Sequence, residues 1–379
     1  SIHLTVVGSL TVQPGCEVDI TGGSVDGTVM AQTGAVFTAS STLDLLVLDK
    51  GEPVEDALIS IEGDVAMTDA DGRLSTETES LRVTDTGQTW GGVKTVTLQR
   101  NNFSDFVTWD TNRSLTHTFM ASTVPSGEVS GWVVLERQWS PYTLDAPLVL
   151  QSASTMSIQD GVSLRASEGV TITVNGVFDA GAATISSTGY GARWGGLMLG
   201  PSVAASIELS GTQLLESAPA LTVSGLGSVR ADGVFMARSS SDPLVLVESG
   251  NAAELVVRNS HLQNGSGCAH LYPSSATIEF TNVSFADCEE QGVWAQQVPV
   301  EFNDLTFGAG MDWGMELTGV SGTVNGVNAT QYDGEGAIVA LNSQPSGFTL
   351  TDVVGRVTGQ AGVAGENNLD IILERIDLE

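Results

Sequence analysis

The chain has 379 residues, 45 of them acidic and 14 basic, for a net charge of −31. So acidic a surface repels a nucleic-acid duplex or an anionic membrane, which argues against nucleic acid as a partner. No apolar run reaches the roughly 20 residues that a membrane span needs, so a membrane-spanning protein is not expected.

Gly supplies 44 residues, and alternating Val, Ile, Leu and Thr fall between Gly and Asn turns. That is a strand vocabulary. Helical periodicity is absent from every stretch of about ten residues, so the chain reads as all-β. Two readings of the acidity stay open. It keeps a secreted protein soluble, or it suits saline water, where screening over a few ångströms removes self-repulsion. Sequons at Asn102, Asn112, Asn264, Asn282 and Asn328 permit secretion without showing it. The chain opens directly in strand-like sequence, SIHLTVVGSLTV, and closes on an apolar rung, LDIILERIDLE. Both ends predict a section of a longer extracellular object, or a coil whose ends stack on copies of itself.

Residues 1–42 hold short strands, including LTVQPGCEV from Leu10 to Val18. Residues 43–122 break that rhythm with longer alternating strands and a Thr-Asp-Ala-Asp-Gly turn at Thr68 to Gly72. Both lysines, Lys50 and Lys94, lie here. The turn is no EF-hand: with Gly72 at loop position six, position one is Met67 and position twelve is Thr78.

From residue 123 the short strands return. MSIQDGVSL (Met156 to Leu164) echoes LTVQPGCEV. A repeat then begins at Ile207, Val229, Leu255, Ile278, Val300, Gly322, Phe348 and Ile371, with intervals of 22, 26, 23, 22, 22, 26 and 23 residues. Its fifth column reads Gly211, Gly233, Asn259, Asn282, Asp304, Gly326, Asp352 and Arg375. Gly, Asn and Asp accept positive φ, so the column predicts a left-handed bend between two short strands. One such unit cannot bury its own apolar face, but stacking units at a strand spacing of about 4.8 Å buries a continuous core. The expected fold is a right-handed parallel β-helix over 1–42 and 123–379, with strands of three to five residues. A β-sandwich with coincidental spacing would instead show two antiparallel sheets over 200–379.

The segments SPYTLDAPLVLQSASTMSIQDGVSL, VTITVNGVFDAGAATIS and RWGGLMLG (Arg193 to Gly200) resemble the opening rungs of secreted right-handed β-helix proteins, the pectate-lyase-like solenoids. The resemblance covers 1–42 and 123–379 and speaks to architecture more than activity, because such coils carry lyases, hydrolases, adhesins and spacers. Residues 43–122 resemble the carboxypeptidase regulatory-like family at Gly51, Pro53, Ala57, Ile59, Thr68, Asp69, Asp71 and Gly72. That implies a small, non-catalytic, Ig-like β-sandwich inserted between rungs, with Gly72 supplying the turn and Ala57 a tight core contact. Three irregular rungs with long loops are the alternative.

Polysaccharide lyases of the resembled fold use a Lys or Arg base. This coil contains no Lys, and Arg137, Arg165, Arg193, Arg230, Arg238, Arg258, Arg356 and Arg375 do not fall in a single column. The N-T-D, D-D, G-H-G and R-I-K motifs of the pectin hydrolases are missing. Glycosidic cleavage needs two carboxylates at a defined separation. Acids such as Asp287, Glu289, Glu290, Asp304 and Asp333 are too abundant for any pair to stand out. His261 and His270 fall on different strands of one rung, without a marked nucleophile. Trp139, Trp194, Trp294 and Trp313 read as a sugar-stacking stripe or as rung packing, Trp194 resembling a structural rung position. Cys268 and Cys288 are 20 residues apart, near one rung, yet the alignment sets Cys288 opposite Asn264. A disulfide between them is therefore a candidate only, and Cys16 is expected buried and unpaired. No cofactor is expected, and no motif indicates a structural calcium. The function expected is a non-catalytic secreted or cell-surface structural or adhesion protein that contacts carbohydrate, protein or its own copies. A polysaccharide-binding or polysaccharide-degrading enzyme is the alternative.

Overall fold

The computed structural model describes residues 5–6, 8–21, 24–25, 28–49, 51–100, 103–189, 191–239, 242–356, 362–367 and 371–379. Lys50 and the sequon at Asn102 lie outside them. The chain forms two units, Ser1–Ser122 and Thr123–Glu379.

In the second unit the short apolar runs stack as a parallel β-helix. Its first face is an 11-stranded parallel sheet running from Gly127–Val129 and Leu148–Leu150 to Val339–Asn342 and Val363–Glu366. The second face begins at Trp132–Leu135 and Thr155–Ile158 and ends at Ile372–Leu378. A third face begins at Tyr142–Leu144 and Ser163–Ala166 and continues through His261–Gln263 and Ser284–Ala286. Among the described residues the only helical turn is a single 3-10 turn at Arg137–Trp139, and no helix is long and apolar enough to cross a membrane.

The inter-rung register reproduces the repeat spacing. Ile207 pairs with Val229, Val229 with Leu255, Leu255 with Ile278, Ile278 with Val300, and Val300 with Gly322. Thr349 pairs with Thr323 on one side and Ile372 on the other, carrying the same register to the last rung. Alternate residues of a strand face opposite ways. The first and third positions of the repeat therefore point inward: Ile207, Val229, Leu255, Ile278 and Phe280 are 0% exposed. In the later rungs aromatic rings continue the ladder. Phe280 stacks on Phe302 at 5.1 Å and Phe285 on Phe307 at 5.2 Å.

The bend column sits at the corner between second and third faces. Gly211, Gly233, Asn259, Asn282, Asp304, Gly326, Asp352 and Arg375 all have φ between 48° and 76°. Each N–H there reaches across to the neighbouring rung, as Asn259 N–H does to Thr281 O and Asn282 N–H to Asn303 O. The left-handed residue therefore keeps the ladder intact through the bend. In the last rungs pairing resumes so directly after it that two strands merge into one. Pro299–Phe307 and Ser321–Ala329 are nine residues each, longer than the three to five expected.

In the first unit, Thr5 pairs with Ser24, Ser9 with Thr28 and Glu17 with Val36, all in parallel. Each offset is 19 residues, one short coil turn. The strand Val36–Asp49 then runs straight across the expected junction at 42/43. It pairs antiparallel with Arg73–Thr84 and parallel with Leu115–Met120. Val12, Ile20, Val29 and Phe37 share one buried cluster with Leu81 and Val83, so the first coil turn and the residues after it have a common core. A separate sheet joins Phe103–Asp110, Val93–Arg100, Leu58–Ile61 and Asp64–Met67, all antiparallel.

The Thr68–Gly72 segment is a side-chain-braced turn. Asp69 Oδ1 accepts the N–H of Asp71 at 3.0 Å and of Arg73 at 2.8 Å. Gly72 has φ 69°, and a Cβ there would run into the backbone of Val47 and Val54. Ala57 departs from the expected core contact: it is half-buried, and what is held is its N–H, by Thr68 Oγ1 at 2.9 Å. Cys16 also departs from expectation. It is unpaired but exposed, because it sits in the turn between Ser9–Val12 and Glu17–Thr21 rather than on an inward strand position.

Candidate binding face

The side chains with most chemistry gather on rungs 254–318 of the β-helix. On the outward side of the first face, Leu246, His270, Trp294 and Glu316 stand in register on successive rungs. The Trp294 ring meets His270 at 5.8 Å and Tyr272 at 5.1 Å, both edge-on. Gln291 Nε2 donates to Glu316 Oε2 at 3.5 Å beside them. The result is an aromatic strip with a rim of carboxylate and amide groups.

His270 is pressed down onto the backbone, since a Cβ at Gly267 would collide with its Nε2. Among the described residues that nitrogen is buried with no hydrogen-bond partner. Burial therefore holds the imidazole below its ordinary value of 6.5, against the opposing pull of the Glu290 carboxylate and the Gln291 side chain. The unfolded chain then takes up the proton first as pH falls. Stability from this site is complete above about 6.5 and declines as pH drops through the lower folded value. Melting temperatures between about pH 7.5 and 5 should fall more steeply for the wild type than for His270→Asn. Parallel curves would refute this.

Around the next corner a hollow of about 370 Å³ is lined by Arg193, Arg238, Ser239, Asn264, Gly265, Asp287 and Glu289. Its floor is a second left-handed column, Glu216, Arg238, Asn264 and Asp287, with φ between 52° and 67°. A third such column holds Gln297, Gly319, Ser343 and Asn367. Sequence reasoning missed both columns, since Glu, Arg, Gln and Ser carry no positive-φ preference. Inter-rung hydrogen bonds hold them there instead, for example Arg238 N–H to Gln263 O and Asp287 N–H to Ala309 O. Their only sequence signal is the same 22-, 26- and 23-residue spacing.

No protein-family model matches the chain, and no curated protein matches it. A search of solved structures returns the catalytic domain of a GH87 alpha-1,3-glucanase in complex with nigerose. The likeness has a TM-score of 0.22 at 9% identity, over 89% of this chain and 88% of that one.

The other singled-out residues separate by position. Trp194 is fully buried and its Nε1–H donates to Leu215 O at 2.9 Å, so it packs a rung. Trp139 lies in the 3-10 turn, and Trp313 is half-buried one rung beyond Gln291. No stripe joins the four tryptophans; Trp294 pairs with Tyr272 and His270 instead. His261 and His270 stand on different strands, His261–Gln263 and Ala269–Leu271. Cys268 and Cys288 form a disulfide with a Cα–Cα distance of 5.5 Å, at the corner beside the hollow. Asp287 and Glu289 share the hollow, Asp304 stands in the bend column, and Asp333 accepts the Gly310 N–H at 2.8 Å.

Several arginines are tied to carboxylates of neighbouring rungs. Arg230 lies 4.0 Å from Glu208 and 3.1 Å from Glu254, on the rungs either side. Arg258 pairs with Glu279 at 2.7 Å and Arg238 with Glu216 at 3.7 Å. Arg375 grips Asp352 through Nε and Nη2, which holds that exposed carboxyl below its usual range. The one column member that is not Gly, Asn or Asp is therefore a cross-rung clamp.

Proposed function

We propose that the chain is a non-catalytic extracellular or cell-surface scaffold that presents the strip of Trp294, Tyr272 and His270 to a carbohydrate polymer. The observation carrying this is the use of the coil's positive charge. A lyase needs a cation or base aimed at the reacting carbon. Here Arg230, Arg238, Arg258 and Arg375 are committed to carboxylates between rungs. A disulfide supports an oxidising compartment. The strip offers apolar ring faces beside hydrogen-bonding Gln291 and Glu316, chemistry that suits a neutral sugar better than a polyanion beside so much negative charge. Residues 43–122 are proposed as an Ig-like module of the carboxypeptidase regulatory-like kind.

The second reading is a carbohydrate-degrading enzyme, favoured by the two carboxylates, Asp287 and Glu289, that line one hollow. A panel of neutral and acidic polysaccharides, with and without calcium, separates the two. Binding without new reducing ends or unsaturated uronate, weakened at least about tenfold by Trp294→Ala, is expected. New reducing ends lost in Asp287→Asn would make the enzyme reading the right one.

A further inference from the structure

We infer that Ser284 is an activated nucleophile, able to take one acyl or phosphonyl group from an activated ester, with His261 as its base and Gln263 as a positioning residue. Phe235, His261, Ser284 and Thr306 stand in register on successive rungs of the third face. Their strand neighbours Leu262 and Phe285 point inward and are at most 1% exposed, so this ladder faces outward. Phe235 stacks on the imidazole at 5.6 Å with 11° between the planes, which fixes the ring. Ser284 Oγ lies 2.6 Å from His261 Nδ1, and His261 Nε2 lies 3.0 Å from Gln263 Oε1.

One tautomer satisfies both contacts. With the proton on Nε2, that N–H donates to the Gln263 amide oxygen, and the Nδ1 lone pair accepts the Ser284 O–H. This is the state in which imidazole can take the hydroxyl proton, with a third group holding the ring. Ser284, His261 and Gln263 are all half-buried, so a small reagent can reach the hydroxyl. In the step, Oγ attacks the carbonyl carbon of an aryl ester while its proton passes to Nδ1. The bond to the aryl oxygen breaks, and the aryl oxide leaves as the phenol with the proton from His261. Ser284 keeps the acyl group. One acylation per chain goes beyond the scaffold reading without requiring turnover.

The test is labelling of the intact, folded chain with a fluorophosphonate, where the Oγ–P bond forms, the P–F bond breaks and the proton leaves with fluoride. Mass spectrometry should find one adduct, mapped to Ser284. Its rate should fall about 100-fold or more in His261→Ala. Gln263→Glu keeps the ring held and adds a charge that favours imidazolium, so the midpoint of the pH–rate profile should move upward. That shift would not follow from a merely structural role, and it remains readable where His261→Ala disturbs the fold. An unlabelled wild type, a label on Thr306 or scattered over many serines, or a rate indifferent to His261 would each overturn the assignment.

Discussion

Phe302→Ala should destabilise the β-helix by about 3–5 kcal/mol, the range for truncating a buried aromatic ring. Phe302 is 0% exposed and stacks on Phe280 at 5.1 Å with 23° between the rings. Its register partners are Phe280 below and Val324 above, so the cavity opens between three rungs at once. Rungs touch only their neighbours, so the loss stays local. Denaturant unfolding should show an early partial transition as well as a lower midpoint. The exposed neighbour Glu301→Ala is the control, with a change of roughly 0.5 kcal/mol or less. A Phe302→Ala midpoint within about 1 kcal/mol of wild type would mean that the ring ladder is not what holds these rungs.

The second large effect belongs to the disulfide. Cys268 and Cys288 are both buried and close a loop with a sequence separation of 20. The loop-entropy relation assigns such a bridge about 3 kcal/mol, by restricting the unfolded chain. The Cys268→Ala, Cys288→Ala double variant should lose about that much. Wild type treated with a reductant should fall to the same midpoint. Thiol titration of the denatured, unreduced chain should count only Cys16. Three reactive thiols would rule the bridge out.

The pairing also marks where linear reading stops. The alignment placed Cys288 opposite Asn264, and the ladder agrees in part, since Glu289 N–H donates to Gly265 O and Cys268 N–H to Gln291 O. The two cysteines meet diagonally because the chain turns a corner between them. Positions that differ along the repeat come within 5.5 Å across it. A position count cannot register that approach. The Ser284–His261 contact depends on the same geometry. The residues are one rung apart at equivalent strand positions, but outward side chains become a pair only once the rungs stack.

What the sequence determined by itself is the coil. Period, inward positions and one bend column are local and repeated, and each repeat makes the same choice under the same steric rules. Gly211, Gly233, Asn259, Asn282, Asp304, Gly326 and Asp352 announce the bend because their residue types accept positive φ cheaply. Tertiary structure alone decided the other two corners. There Glu216, Arg238, Gln297 and Ser343 are held at positive φ by hydrogen bonds to the next rung. It decided as well that the strand Val36–Asp49 carries a coil turn and the following sheet in one piece, around a core that includes Leu81 and Val83. Such features rest on partners distant in sequence, whose free energy can exceed a local preference of about a kilocalorie per residue.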